Sequence, residues 1–347
     1  MDLKSKRIAI LAPVAWRTPP RAYGAWETVA GNITEGLVAR GWKNITLFAT
    51  KESITKAKLV GWVDKGYEED KTQIPLVSTS LHISKVMERA DDFDLIHSNF
   101  DYLPLTYLPL INTPMLTTIH GFSESDILRV YRDHKDTYYV SISDADRDSE
   151  LPYLATVYNG IDLSNLTFRE KPGDKLVCYG RIHPDKGYHL AIEVAKKSGI
   201  DLILAGIIQD QQYFDNEVKP HINDKSIKFI GPVNPEQRDA LLKEAYAVLH
   251  LNTIPERFGL VMAESMAAGV PVIAMDLGSC REVIADKQTG FLVNNVDEAV
   301  EAIGKIDSIN RRKCRRRVEE NFTIEKMVCG YEKVYEEIFR QEAEKER

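Results

Sequence analysis

Short runs of strand-forming residues alternate with helical segments along this chain from one end to the other. In the first half the runs are Ile8–Leu11, Ile45–Ala49, Leu95–His97, Met115–His120, Tyr138–Ile142 and Ala155–Tyr158. In the second half they are Lys175–Tyr179, Asp201–Ala205, Ile227–Ile230, Ala247–Leu251, Val270–Ala274 and Phe291–Val293. This alternation predicts parallel sheets joined by crossover helices. Because 347 residues exceed the usual size of one core, we predict an α/β fold with two doubly wound domains.

The boundary between the domains is predicted at a polar stretch near the middle of the chain. Asn159–Asp162 is followed by residues 164–174, which hold few strand formers and carry the turn pair Pro172–Gly173. Such composition is typical of a linker between domains. We therefore predict a first domain over residues 1–165 and a second over residues 170–322.

Composition limits the classes of partner and compartment. The formal net charge of −7 gives no reason to expect nucleic acid as a partner. Four cysteines lie scattered without metal-ligand or redox spacing, and no apolar run approaches the roughly 18 residues that span a bilayer. The N-terminus lacks the apolar region of a signal peptide. We expect a cytoplasmic protein.

Two glutamates lie eight positions apart in the segment Ile254–Glu264, with Gly259 between them. Residues 262–268 favour a helix, so Glu256 is expected in the loop before it and Glu264 one to two turns inside. The helix start offers backbone N–H groups and the positive end of the helix dipole, which suit a phosphate or a developing oxyanion. A nucleotide-sugar, with hydroxyls at both ends and a diphosphate between them, matches this layout.

The spacing of the two glutamates disfavours a hydrolytic carboxylate pair. Eight helical residues rise about 12 Å, whereas paired glycosidase carboxylates lie about 5 to 9.5 Å apart. An ordinary buried helix with two solvated acids remains an alternative on spacing alone.

A second segment with charged residues, Gly180–Gly187, forms a turn after the first strand of the second half and leads into a helix. Arg181 and Lys186 flank its Pro184-Asp185 turn, so two cations can converge on one anion, as diphosphate binding requires. Fixed cations of this kind can neutralise a departing phosphate without a metal. A solvated turn before a helix is the alternative.

With these motifs in place, the chain resembles glycosyltransferase family 4, the retaining nucleotide-sugar transferases of the GT-B fold. In chain order the resemblance rests on Val157–Asp162, Gly180-Arg181 with Lys186-Gly187, Glu256–Leu260 with Glu264 (an E-x7-E element), Val270–Ala274, Gly278 with Arg281–Ile284, and Gly290–Val293. It implies two Rossmann-like domains facing across an interdomain cleft. It also implies that the last helix, residues 323–347, crosses back to the N-terminal domain.

The resemblance implies a role for each matching residue. Arg181 and Lys186 would bind the donor diphosphate and stabilise the leaving nucleotide. Glu256 would contact hydroxyls of the transferred sugar, and Glu264 the ribose hydroxyls. His120 would hydrogen-bond the donor sugar near the reacting carbon. The remaining donor contacts would come from the Gly24 turn and from the backbone amides of Phe258, Gly259 and Leu260.

The activity so implied is transfer of a hexosyl unit, glucose or mannose, from a nucleoside diphosphate sugar to an acceptor hydroxyl. It needs no cofactor and no metal ion, and the acceptor is a small molecule, a glycan or a lipid-linked molecule. A nucleotide-sugar epimerase and a non-catalytic nucleotide-sugar binding protein remain alternatives. Two positions depart from the family pattern: Ala25 follows Gly24 where paired glycines are common, and Arg257 stands where a small residue or proline is common.

Some residues have two interpretations. His97 is a weaker candidate than His120 and is kept as an acceptor-side residue, and either histidine is also compatible with a structural role. Three aromatic residues near the N-terminal loop either stack on a ligand or anchor the loop: Trp16, Tyr23 and Trp26. The basic run Arg311–Arg317 is read as a solvated helix, with contact to an anionic membrane surface as the alternative. The acid pairs Asp91-Asp92 and Asp144/Asp146 are read as solvated turns or helix starts.

Overall fold

The chain folds into two units in the computed structural model, which describes residues 3–121 and 126–345. One unit comprises Met1–Gly160 with Ile324–Arg347, and the other comprises Ile161–Thr323. The outermost residues of the predicted terminal segments, 1–2 and 346–347, lie outside the described residues.

The first unit contains a seven-stranded sheet in which every pairing is parallel. Its strands are β1 (Arg7–Leu11), β2 (Asn44–Phe48), β3 (Lys58–Val60), β4 (Leu95–Ser98), β5 (Met115–Ile119), β6 (Tyr138–Ser141) and β7 (Tyr153–Thr156). The helices before the second unit are α1 (Ala25–Ala39), α2 (Pro75–Met87) and α3 (Ile127–Asp133), with 3-10 turns at Leu3–Ser5, Ala90–Asp92 and Leu103–Leu110. The strand order is β3-β2-β1-β4-β5-β6-β7.

The second unit repeats this plan with six parallel strands in the order β10-β9-β8-β11-β12-β13. They are β8 (Lys175–Tyr179), β9 (Leu202–Ala205), β10 (Ile227–Phe229), β11 (Ala245–His250), β12 (Val272–Met275) and β13 (Gly290–Val293). The helices are α4 (Tyr188–Ser198), α5 (Gln211–Tyr213, continued by the π-helical Phe214–Val218), α6 (Pro235–Glu244), α7 (Leu260–Ala267), α8 (Cys280–Val283), α9 (Val296–Ile303) and α10 (Arg311–Asn321). Short 3-10 turns occur at Leu163–Asn165, Pro184–Lys186, Lys219–His221 and Ile306–Ser308.

In both sheets the chain adds its first three strands toward one edge and then returns to the centre to add the others toward the opposite edge, which is the dinucleotide-binding strand order. The strand order therefore reverses between β1 and β4 in the first sheet and between β8 and β11 in the second. Central strands such as β4 and β9 are buried at every position because helices cover both faces. The predicted fold class, two doubly wound α/β domains, is confirmed. Ligands of such sheets bind beyond the carboxyl ends of the strands where the strand order reverses. The candidate binding sites therefore lie at the carboxyl ends of β1 and β4 and of β8 and β11.

The C-terminal helix α11 (Ile324–Lys345) belongs to the first unit and packs against α1. A Cβ on Gly36 of α1 would lie 2.5 Å from a methyl group of Val328, so the two helices are in close contact. The tyrosines Tyr331 and Tyr335 are fully buried in this unit.

The basic helix α10 differs from its predicted solvated state. Arg311 is buried and donates to the carbonyl oxygens of Ala245 and Tyr246. Arg315 donates to two further carbonyls and Arg317 to another two, all within the second unit. Half of the six cations in the run therefore brace the fold, and this leaves fewer charges for a membrane surface. No helix in the described part of the chain is both long enough and apolar enough to cross a bilayer.

Candidate functional site

The loops after β8 and β11 meet at the reversal point of the second sheet. The Thr253 amide donates to the Asp185 carbonyl oxygen at 2.9 Å, which joins the two loops. Gly187, at φ +62°, lies so close to the second loop that an added Cβ would sit 1.9 Å from the carbonyl oxygen of Leu251. Only glycine fits both this backbone angle and this approach. The contact holds the turn that carries Lys186 against the loop that carries Glu256.

Glu256 is the centre of this junction. Its Oε2 accepts hydrogen bonds from Lys186 Nζ at 2.8 Å, His250 Nε2 at 2.8 Å and Asn252 Nδ2 at 2.6 Å. Its Oε1 accepts from the amide of Arg257 at 3.0 Å. The residue is only 9% exposed. Three donors converge on one carboxylate oxygen, so the other oxygen keeps most of its capacity to accept from a ligand.

The surroundings of Glu256 keep it ionised. Burial alone would raise the pKa of this carboxyl, but the His250 hydrogen bond and the Lys186 charge outweigh burial and lower the pKa well below its ordinary value. The group is therefore a permanent anion and hydrogen-bond acceptor at neutral pH.

Arg181 lies on the same edge of the sheet, directly after β8. Its Nη2 donates to Asp185 Oδ2 at 2.8 Å, and its Nη1 donates to the side chain of Gln209. Each predicted diphosphate-binding cation thus has an acidic partner in this structure: Asp185 for Arg181 and Glu256 for Lys186. Both guanidinium and ammonium retain further N–H donors, so these pairs orient the cations without exhausting them.

The helix that follows Glu256 begins where the sequence predicts. Gly259 caps α7 at φ +84°, and Glu264 lies in its second turn. Phe258 is 2% exposed and packs edge-on against Phe322, with ring centroids 5.6 Å apart. Its side chain therefore belongs to the core, and only its backbone is a candidate ligand contact, as for Gly259 and Leu260.

Glu264 is buried beside two polar groups from other elements. Its Oε1 accepts from Arg238 Nη1 at 2.7 Å, and its Oε2 from the Tyr179 hydroxyl at 3.4 Å. Burial raises the pKa of Glu264, although the Arg238 charge acts in the opposite direction.

The sequence reasoning missed four members of this constellation: Tyr179, Arg238, His250 and Asn252. Three of them had a visible signal: His250 and Asn252 stand at the carboxyl end of the predicted strand Ala247–Leu251, and Tyr179 ends the predicted strand Lys175–Tyr179. Arg238 had none, since only the packing of α6 and α7 brings it to Glu264.

In the first unit, His120 follows β5 and is 7% exposed. Its Nε2 lies 3.2 Å from Asn99 Oδ1, and its ring stacks on Trp26 at 5.5 Å between centroids. Burial lowers the pKa of His120 to about 3, so the ring is neutral at physiological pH. Gly24, at φ +147°, caps α1 two residues before Trp26.

The predicted roles of the other first-unit residues change. His97 is fully buried, with one ring nitrogen 2.7 Å from the Tyr335 hydroxyl and the other 2.8 Å from Thr118 Oγ1. It therefore offers no surface to an acceptor. Trp16 and Tyr23 pack edge-on against each other and are half-buried. Asp146 is 5% exposed, which contradicts its interpretation as a solvated turn residue.

The first unit is expected to lose stability as the pH falls below 6.5. Burial lowers the pKa of His82 to about 4 and of His97 and His120 to about 3. In the unfolded chain these three rings bind protons below about pH 6.5. Between that pH and their lowered pKa values, the unfolded state therefore holds more protons than the folded state. Buried Glu27, whose pKa burial raises to about 7, acts in the opposite direction. The three histidines less Glu27 leave the unfolded state with about two more protons than the folded state. The free energy of unfolding therefore falls by about 3 kcal/mol for each unit by which the pH is lowered.

All four tryptophans, residues 16, 26, 42 and 62, lie in the first unit, so urea unfolding followed by their fluorescence at pH 7, 6 and 5 reports on this unit. His221→Gln, an exchange in the second unit, is the control and should leave the pH slope unchanged. An equal free energy of unfolding at pH 7 and pH 5 would contradict the prediction.

Metal ligands are not assembled in the described structure: residues 3–121 and 126–345 hold no group of three His, Cys, Asp or Glu side chains suited to an ion. At the reversal point of the second sheet, the charged side chains are the pairs Arg181–Asp185 and Lys186–Glu256.

Comparison with known proteins finds a family match within the second unit. Residues 165–323 match the family described as glycosyl transferases group 1. An uncharacterized glycosyltransferase of Methanocaldococcus jannaschii is 25% identical over 284 residues, covering 74% of this chain and 79% of that protein. The trehalose synthase of Pyrococcus horikoshii is 30% identical over 171 residues, covering 44% of this chain and 41% of that enzyme. The chain thus aligns with less than half the length of the second relative.

Solved structures share the fold. Sucrose-phosphate synthase from Thermosynechococcus elongatus superposes with a TM-score of 0.79 at 19% identity, covering 97% of this chain and 100% of that one. An Anabaena protein solved in complex with UDP-glucose superposes with a TM-score of 0.73 at 17% identity, covering 96% and 100%. At these identities the likeness shows the fold of the two units and nothing finer.

Proposed function

We propose that this chain, whose residues 165–323 match the group 1 glycosyl transferases, is a glycosyltransferase that moves a hexosyl unit from a nucleoside diphosphate sugar to an acceptor hydroxyl with retention of configuration. The observation that carries the proposal is the buried Glu256 carboxylate, which Lys186, His250 and Asn252 hold at the reversal point of the second sheet. We expect glucose or mannose as the sugar, in line with the UDP-glucose bound by the Anabaena protein of the same fold.

Glu256 is suited to bind sugar hydroxyls and poorly suited to attack carbon. Its Oε2 already accepts three hydrogen bonds, which lowers the nucleophilicity of that oxygen, while Oε1 accepts one from the backbone. Hydroxyl groups of a sugar would donate to the remaining acceptor capacity. A mechanism on one face of the sugar, in which the departing phosphate takes the proton of the acceptor hydroxyl, needs no carboxylate nucleophile.

The leaving diphosphate would be neutralised by fixed charges of the protein. Lys186 keeps two N–H donors beyond the one on Glu256, and Arg181 is oriented by Asp185. The N-terminus of α7 adds backbone N–H groups and a favourable dipole. Donors placed in advance at developing negative charge stabilise a transition state without reorganisation, so no metal ion is required.

Glu264 would accept the ribose hydroxyls, and His120 and Gly24 of the first unit remain predicted donor contacts. The acceptor class stays open between small molecules, glycans and lipid-linked molecules. A net charge of −7 gives no support to nucleic acid as a partner.

The proposal is tested with UDP-, GDP- and ADP-sugars, each supplied with and without a panel of acceptors. We expect at least one donor to raise the melting temperature and to release nucleoside diphosphate in an acceptor-dependent manner. No thermal shift and no nucleotide release across the panel would reject the proposal, and anomeric inversion of the product would reject its retaining mechanism.

Lys186→Met is expected to weaken binding of the nucleoside diphosphate by about 10- to 100-fold, because a charge-assisted hydrogen bond contributes about 1.5–3 kcal/mol. Isothermal titration calorimetry measures the change. Lys197→Met is the matched control, since Lys197 lies on α4 close in sequence but pairs with Glu193 and Asp297 at the surface. Equal affinities of the two variants would remove Lys186 from the diphosphate site.

A further inference from the structure

The nucleoside end of the site contains an ion pair that the sequence motifs do not include. Arg238, in the first half of α6, donates from Nη1 to Glu264 Oε1 at 2.7 Å. Both side chains are largely buried, at 20% and 11% exposure. Among the described residues Arg238 is the only cation paired with Glu264.

The geometry of this pair leaves Glu264 available to a ligand. Arg238 contacts one carboxylate oxygen through one nitrogen, where the guanidinium could have formed a two-point contact. Among the described residues, the other oxygen has only the long 3.4 Å contact from the Tyr179 hydroxyl. Two neighbouring hydroxyl groups could therefore donate to this carboxylate while Arg238 stays in place.

The pair is also poorly arranged for stability alone. The Nε of Arg238 is buried and has no hydrogen-bond partner within residues 3–121 and 126–345. A buried unsatisfied donor costs free energy, and buried ion pairs often contribute little net stability. Such exceptions are found where a group serves a ligand.

We propose that Arg238 is a positioning residue for the nucleoside, the counterion that keeps Glu264 ionised and oriented toward the two ribose hydroxyls. The inference rests on the proposed function, because it takes Glu264 as the ribose contact. Without Arg238, burial of Glu264 would be uncompensated and would raise the pKa of this carboxyl further, which favours its protonated form. A protonated carboxyl loses acceptor capacity and presents a donor to the ribose instead.

The charged and titratable groups that face Glu264 are Arg238 from α6 and Tyr179 from β8, and burial raises the pKa of Tyr179 far above neutrality. Tyr179 therefore does not titrate in the range of interest. A difference in pH dependence between Arg238→Met and the wild type is therefore assigned to Glu264, since the phosphate groups of the nucleotide titrate alike in both measurements.

The test compares Arg238→Met and Arg238→Lys with the control Arg169→Met. Arg169 forms a similarly buried ion pair with Asp239, which is the residue after Arg238 in α6. Calorimetry with UDP, GDP and ADP from pH 5.5 to 8.5 measures affinity. For Arg238→Met we expect binding at least tenfold weaker than wild type at pH 6, with the difference shrinking as the pH rises and Glu264 loses its proton. Arg238→Lys should recover most of the affinity, and Arg169→Met should follow the wild-type profile.

Infrared difference spectra give a second measurement that needs no ligand. In Arg238→Met at pH 7 we expect a protonated carboxyl band that disappears in the double variant with Glu264→Gln. Absence of that band, together with a wild-type pH profile of binding, would overturn the role of Arg238. Failure of the wild type to bind any of the three nucleotides would instead reject the proposed function, and the infrared result would still decide the state of Glu264.

Discussion

Glu256→Gln is expected to reduce glycosyl transfer by about 10³-fold while nucleoside diphosphate binding changes by less than about threefold. The exchange removes the charge that Lys186, His250 and Asn252 surround, and an amide cannot accept from all three donors at once. The sugar end of the donor loses its anchor, whereas Arg181 and Lys186 remain for the diphosphate. Initial rates with the active donor, and calorimetry with the matching diphosphate, separate the two effects.

Folding of the variant has to be measured alongside activity. Removing one partner of a buried ion pair costs about 3–5 kcal/mol, so the assay temperature must lie below the lowered unfolding transition of Glu256→Gln. Glu301→Gln is the matched control, because Glu301 is exposed on α9 of the same unit and its carboxylate forms a surface ion pair with Lys305 at 3.7 Å. A Glu256→Gln enzyme that is folded and retains more than a tenth of wild-type turnover would show that this carboxylate does not act on the transferred sugar.

The elements of the fold that could be read from the sequence are those with a strong local signal. The sequence predicts twelve of the thirteen strands with bounds that differ by a few residues, and most of these twelve are runs of buried apolar residues. The exception is β3, Lys58–Val60, a three-residue edge strand whose side chains are exposed or half-buried and which therefore lacks an apolar pattern. The start of α7 and the loop position of Glu256 were likewise predictable, because helix propensity and the cap at Gly259 act locally.

The partners of the site residues could not be read in the same way. Lys186 and Glu256 are 70 residues apart, and Arg238 and Glu264 are 26 apart. Their contact depends on which loops the parallel sheet brings to one edge. The helix α10 shows the same limit: spacing cannot tell a solvated arginine from Arg311 or Arg317, whose donors reach carbonyl groups of distant segments.

Gly187→Ala is expected to damage the site by a steric route that leaves every charged residue in place. An alanine Cβ would stand 1.9 Å from the carbonyl oxygen of Leu251, and the backbone at φ +62° is itself unfavourable for alanine. The left-handed angle costs about 1–2 kcal/mol, and displacing backbone in a packed region adds about 1–3 kcal/mol. The turn with Lys186 would move away from the loop with Glu256, so we expect a fall of about 3 kcal/mol in unfolding free energy and loss of nucleotide binding.

Gly187 caps the N-terminus of α4, and the glycine at the other end of this helix supplies a control. That control separates the backbone strain of a left-handed alanine from the steric clash with Leu251. Gly199 caps the C-terminus of α4 at φ +71°, and an added Cβ there would meet no atom within 4 Å. Gly199→Ala should therefore show only the strain of about 1–2 kcal/mol and should bind nucleoside diphosphate like the wild type. Urea unfolding by circular dichroism gives the stabilities, and hydrogen exchange of peptides from α4 and α7 locates the change. If both variants lose the same stability and both bind nucleotide, the contact between Gly187 and Leu251 does not hold the two site loops together.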